Sequence, residues 1–148
     1  MGNQMVDGLS QKKTVFQQES EVRWAETCGL NDIHFSQWLR FMEEAEYAFL
    51  RSRGLGVVLA DERGQIGFPR IECGLNIHGS VAAGENLTTE LTLDSNDGKQ
   101  LAYTFRVLHG DRLLADGRFL VACCRFPPDD LPYAILIPDW VMTKLATS

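Results

Sequence analysis

The side chains best suited to chemistry crowd one stretch of this 148-residue chain, between residues 26 and 44. Cys28 offers a thiol, Asp32 a carboxylate four residues on, and His34 an imidazole just beyond. A thiolate near a helix N-terminus is an activated nucleophile, and a neighbouring carboxylate can act as general base. Each residue also has a plainer use. Cys28 fits a small buried filler, Asp32 a helix cap, and His34 a packing or capping residue. The plainer uses are the expectation for all three side chains. Further on, Arg40, Glu43, Glu44, Tyr47 and Arg51 share one side of a helical repeat. Arg40 and Glu44 form an i, i+4 pair of the kind found on solvated faces. Were that face covered, its charges would have to be paired or used.

A helix and a sheet must position these groups. Phe35, Trp38, Met42, Ala45 and Phe49 recur at helical spacing, so the pattern predicts a core-facing helix over residues 35–53. Gly54 suits its C-terminal cap, and Arg51 and Arg53 the negative end of its dipole. Ahead of it, residues 14–24 read as a strand with Val22 and Trp24 on one side, broken by loop-forming residues over 26–32. Beyond it the period falls to two. Ile71, Cys73, Leu75 and Ile77 share a face, as do Leu87, Leu91 and Leu93, and Leu101, Tyr103, Phe105 and Val107. Residues 113–124 form a last, largely apolar strand. Asn96-Asp97-Gly98 and His109-Gly110-Asp111 mark hairpin turns. Residues 138–145 suit a short helical turn. A strand, one long helix and then four strands, without βαβ alternation, predicts an α+β domain with one antiparallel sheet. Residues 1–12 read as a flexible tail and 13–148 as a single domain.

Composition removes several classes of function. Fourteen basic against twenty acidic residues, a net charge of −6, do not suit a phosphate-backbone binder, so no nucleic-acid partner is expected. No apolar run approaches the ~20 residues of a membrane span. Cys28, Cys73, Cys123 and Cys124 have no C-x-x-C spacing, and adjacent strand residues point to opposite faces. Neither a metal site nor a disulfide framework is expected, no cofactor is implied, and a reducing cytoplasm is the expected location. The sequence has no G-x-S-x-G elbow, H-E-x-x-H motif or P-loop, and Gly54-Leu55-Gly56 stops short of a dinucleotide fingerprint.

The order of elements and several local motifs resemble the hotdog-fold 4-hydroxybenzoyl-CoA thioesterase-like family, in which an antiparallel sheet wraps around one long central helix. The segment Val22-Arg23-Trp24-Ala25-Glu26-Thr27-Cys28-Gly29-Leu30-Asn31-Asp32-Ile33-His34-Phe35 is similar to that family's strand end, Gly-rich turn and helix start. Phe68-Pro69 matches its Pro before the second strand, Gly84-Glu85 its Gly-Asp turn, and Ala115-Asp116-Gly117 its Ala-x-Gly. The likeness spans roughly residues 14–126. The family's usual catalytic Asp falls on Cys28. The enediyne polyketide thioesterase branch is a closer match, since it lacks that acid and carries an Arg in a Leu-Arg-aromatic segment, here Leu39-Arg40-Phe41.

The resemblance implies hydrolysis of an acyl-CoA or acyl-carrier-protein thioester, with Arg40, Cys28, Asp32 and Glu43 as candidate catalytic residues. It places the helix start at His34 and Phe35, whose backbone N–H groups become oxyanion donors because first-turn amides lack intrahelical partners. It implies no cofactor and a homodimer or homotetramer, since family sites lie between subunits. The alternative is a non-catalytic hotdog domain that binds acyl groups or serves assembly. A hydratase is disfavoured, because its acid would fall near Ala48.

Overall fold

The computed structural model describes residues 14–28, 32–95 and 97–146. The expected tail at 1–12, the turn residues Gly29, Leu30 and Asn31, and Asn96 lie outside the described residues. Strand β1 (Phe16–Glu21) precedes a single 3-10 turn (Trp24–Glu26) and helix α1 (Phe35–Ser52). Strands β2 (Val58–Asp61), β3 (Gly64–Gly67), β4 (Arg70–Ile77), β5 (Asn86–Ser95), β6 (Gln100–His109), β7 (Arg112–Ala122), β8 (Cys124–Phe126) and β9 (Tyr133–Ala134) follow, then helix α2 (Asp139–Ala146). One sheet runs β1-β5-β6-β7-β4 and a smaller one β2-β3-β8-β9, with every strand pair antiparallel.

Helix α1 forms where the apolar period predicts it. Trp38, Met42, Ala45 and Phe49 are fully buried against the larger sheet. Phe49 meets Tyr103 edge-on at 6.3 Å, and Phe105 meets Phe119 at 4.8 Å, so aromatic side chains join helix and sheet. The helix ends in a Schellman motif, with the Leu55 amide donating to the Leu50 carbonyl and the Gly54 amide to that of Arg51. Gly54 takes φ +72°, which a side chain would resist. Gly117 serves a different need. A Cβ there would lie 2.7 Å from Met42 Sδ and from the Gly74 carbonyl, so its absence lets the helix settle onto the sheet.

Several expectations change. Phe35, placed on the core stripe, is 60% exposed at the first position of the helix. The first strand ends at Glu21 rather than 24. The Glu26 carboxylate accepts the Arg23 amide at 2.7 Å, curling the chain into the 3-10 turn and leaving Trp24 exposed. The run 113–124 divides at Cys123, whose amide donates to the Lys99 carbonyl, and the chain then joins the smaller sheet as β8. The β2–β3 hairpin is not among the expected strands, although Asp61-Glu62-Arg63-Gly64 closes it as a turn. Arg125 on β8 ties it down through Asp61 (2.6 and 3.1 Å), holding that carboxyl at about 2.

The architecture is α+β, with antiparallel sheets and one principal helix. The sheet covers one side of that helix, while Arg40 and Glu44 on another side stay exposed or half-exposed, so the helix is not enclosed by this chain's own sheet.

Candidate functional site

The loop from β1 to α1 is closed by its own backbone. Cys28 donates its amide to the Asp32 carbonyl (3.0 Å), and Thr27 and Ile33 bridge antiparallel. Cys28 is exposed, which corrects its reading as a buried filler. Asp32 does not cap the helix. Its carboxylate accepts the Ile33 amide at 2.8 Å, and His34 takes the cap, its Nδ1 accepting the Ser36 amide at 3.3 Å. Because Nδ1 accepts, the neutral ring carries its proton on Nε2. The two proposed oxyanion amides also differ. His34 N–H already donates to the Glu26 carbonyl at 3.3 Å, whereas Phe35 N–H meets no acceptor among the described residues.

Farther along α1, Arg40 and Glu43 line one groove of roughly 280 Å³ with Ser36, Leu39, Arg70, Cys73 and Phe119. Arg40 is paired to Glu44 at 3.2 Å and stays 55% exposed. It also borders a polar cleft toward Glu21, Arg23 and Glu26. The Phe35 amide stands five residues earlier, about 7.5 Å along the helix axis at 1.5 Å per residue. The sequence-predicted groups therefore divide between the helix start (Cys28, Asp32, Phe35 N–H) and the groove (Arg40, Glu43).

Two charged residues, Arg70 in the groove and its buried partner Glu46, escaped the sequence reading. Arg70 Nη1 donates to Glu43 at 3.1 Å and Nη2 to Glu46 at 2.6 Å. Its guanidinium also lies over Phe119 (4.9 Å) and Tyr47 (5.4 Å). Glu46 is buried among the apolar residues of α1. Burial pushes its carboxyl from 4.5 to about 7, against the pull of Arg70. Burial also lifts the Tyr103 phenol, and Glu46 adds to that shift. Arg70 itself is shifted upward. Burial opposes its charge, but Tyr47, Glu46 and Glu43 together outweigh that opposition.

A bulge in β4 explains why Arg70 was missed. Arg70 pairs with Val121, Glu72 with Leu120 and Cys73 with Phe119, so Ile71 is the extra residue. Strict alternation would send Arg70 outward and Ile71 inward. The bulge reverses them: Arg70 shares a face with Cys73, toward α1, and Ile71 becomes 52% exposed. Glu46 did leave a trace in the sequence. It lies four residues after Met42, on the buried stripe, where a carboxylate requires a partner. Among the described residues no three His, Cys, Asp or Glu side chains converge as a metal site would need. No helix there is long and apolar enough to cross a membrane.

No family model and no curated protein matches the chain. Solved structures do. A 1,4-dihydroxy-2-naphthoyl-CoA thioesterase from Synechocystis superimposes with a TM-score of 0.76 at 20% identity, over 88% of this chain and 94% of the other. The dynemicin thioesterase gives the same TM-score, identity and coverages. The chain has the hotdog fold. A 4-hydroxybenzoyl-CoA thioesterase in complex with 4-hydroxybenzoyl-CoA matches at a TM-score of 0.73 and 11% identity, over 88% of this chain and 97% of the other. At these identities the superpositions show the shared hotdog architecture alone, with α1 as its principal helix.

Proposed function

We propose that this hotdog protein hydrolyses acyl thioesters carried on coenzyme A or an acyl-carrier protein. The observation that carries the reading is the groove beside α1, where a half-exposed Arg40 and a carboxylate, Glu43, stand together in a fold shared with solved acyl-CoA thioesterases. Arg40 and the free Phe35 amide supply positive potential for the oxyanion that forms when a thioester carbonyl is attacked. Water adds to the carbonyl carbon, the carbon–sulfur bond breaks, and the thiolate leaves to take up a proton. Glu43, which lines the same groove as Arg40, is the carboxylate able to accept the proton of the attacking water. Attack by Cys28 itself would exchange one thioester for another of similar energy, so the direct-water route has the chemical advantage. The His34 amide has no part in this scheme, because Glu26 occupies it.

The working unit in this reading is a homodimer, or a tetramer built from it. β4 is one of the two outer strands of the larger sheet, and Ile71 and Ile77 on it are each about half exposed, as a strand awaiting a partner would be. Four free thiols fit a reducing cytoplasm.

Free-thiol release from a panel of acyl-CoAs and acyl-carrier substrates tests the function. Turnover on either carrier class that falls ~10²-fold in Arg40→Ala supports it. One observation favours a second reading, a non-catalytic acyl-binding domain: Cys28 occupies the position where the resembling family has its acid. Calorimetric binding of acyl-CoA without thiol release selects that reading and rejects the first.

A further inference from the structure

Two cavities lie along α1 and meet at one side chain. The groove that holds Arg40 and Glu43 measures roughly 280 Å³. The other measures roughly 360 Å³ and is walled mainly by Val57, Val58, Ile66, Phe68 and Phe126. That is within the size range of small-molecule pockets, and its lining is chiefly apolar. Arg70 lines both, and the two share no other described residue.

Arg70 is unusually well fixed for an arginine beside a cavity. The β4 bulge turns it toward α1, Glu46 and Glu43 hold separate nitrogens, and Phe119 and Tyr47 pack against its guanidinium. Glu46 is itself buried, so any movement of Arg70 would break a 2.6 Å contact to a side chain that cannot follow it. A hydrocarbon chain that starts beside Arg40 and runs toward the apolar cavity therefore meets an ion-paired guanidinium held from both sides rather than an open passage. We propose that Arg70 is a specificity-determining residue, a fixed crossbar that stops the acyl chain at the end of the groove and so selects short or compact acyl groups. The identity of the ligand rests on the thioesterase reading, but the crossbar itself is read from binding.

The test measures binding of butyryl-, octanoyl- and dodecanoyl-CoA by calorimetry, with thiol release followed in parallel. The readout is the ratio of dodecanoyl to butyryl affinity, which a merely structural role for Arg70 would not move. Glu46→Gln with Arg70→Met removes the crossbar without leaving a buried unpaired charge. The ratio should rise about tenfold or more, the effect of burying roughly two further methylenes. An equal change at every chain length, or no binding at any length, overturns the proposal. Binding without thiol release would instead reject the thioesterase reading and leave the ratio to decide the crossbar. Val58→Trp, a substitution at an exposed rim position, covers the case in which the double variant fails to fold. In the otherwise unchanged protein it should leave the ratio within about twofold, because chains end before that cavity. A tenfold loss of dodecanoyl-CoA affinity in Val58→Trp would show that the chain already reaches it, and the crossbar would be rejected.

Discussion

Replacing Glu46 by Gln keeps the shape of the side chain and an acceptor for Arg70 while removing a carboxyl that the fold prefers to keep protonated. Folding raises this group from 4.5 to about 7, chiefly through burial. A carboxyl with a raised folded-state value contributes most to stability at low pH and loses that contribution as pH rises toward the folded value. The shift of about 2.5 units corresponds to about 3 kcal/mol between the two limits, at 1.36 kcal/mol per unit. Between pH 5.5 and pH 8 the wild-type chain should lose about 2 kcal/mol that the Gln variant does not lose. Any difference between Gln and the protonated carboxyl as a partner for Arg70 adds an offset that does not vary with pH, since Arg70 stays charged throughout this range. The carboxyl of Asp61, held at about 2, titrates below the window, and the three histidines are present in both proteins.

Urea unfolding at pH 5.5, 7 and 8, at one fixed protein concentration, gives the stability of each protein at each pH. The difference, variant minus wild type, should grow mostly between pH 5.5 and 7 and level off by pH 8, with unchanged m-values. A difference constant to about half a kcal/mol would mean that Glu46 keeps its proton, or its charge, equally in both states. The account of the buried pair would then be wrong.

In a thiol-release assay, Arg40→Ala should lower kcat/KM by ~10²-fold, while Cys28→Ser retains part of the activity. An acylated Cys28 trapped by mass spectrometry, with Arg40→Ala still active, would reverse that assignment. Gly117→Ala should lower stability by about 1–3 kcal/mol, because its methyl would press on Met42 and the Gly74 carbonyl. An unchanged Tm would show that the helix does not rest on this glycine. Sedimentation should give at least a dimer at micromolar concentration, and Ile71→Lys on the outer strand should shift it toward monomer. A single-chain mass for the unaltered protein would remove the dimer from the scheme.

The parts of the structure legible in the sequence are those governed by period. α1 is visible because Trp38, Met42, Ala45 and Phe49 return every three or four residues to a face that the sheet then buries. β5 and β6 are visible because they alternate, β7 because it is a largely apolar run, and all three turn on Gly98 and Gly110, both at positive φ. Arg40 and Glu43 follow from the helix, since residues three apart on its surface are neighbours, and they share one groove. What the period cannot give is a change of phase. One extra residue, Ile71, exchanges the faces of everything before it on β4, and this turns Arg70 from a surface charge into the residue joining two cavities. No local pattern announces that residue. The pairing register of β4 on β7 decides it, and the two strands are separated by more than thirty residues of chain. Glu46 offers the complementary clue. A carboxylate on an otherwise buried stripe must either be neutral or find a cation, and here it does some of each: its carboxyl is raised, and Arg70 sits at 2.6 Å. A helical stripe interrupted by one acid therefore predicts that some basic residue elsewhere must be turned inward. In a strand whose alternation would otherwise point that base outward, the prediction sharpens to a bulge beside it.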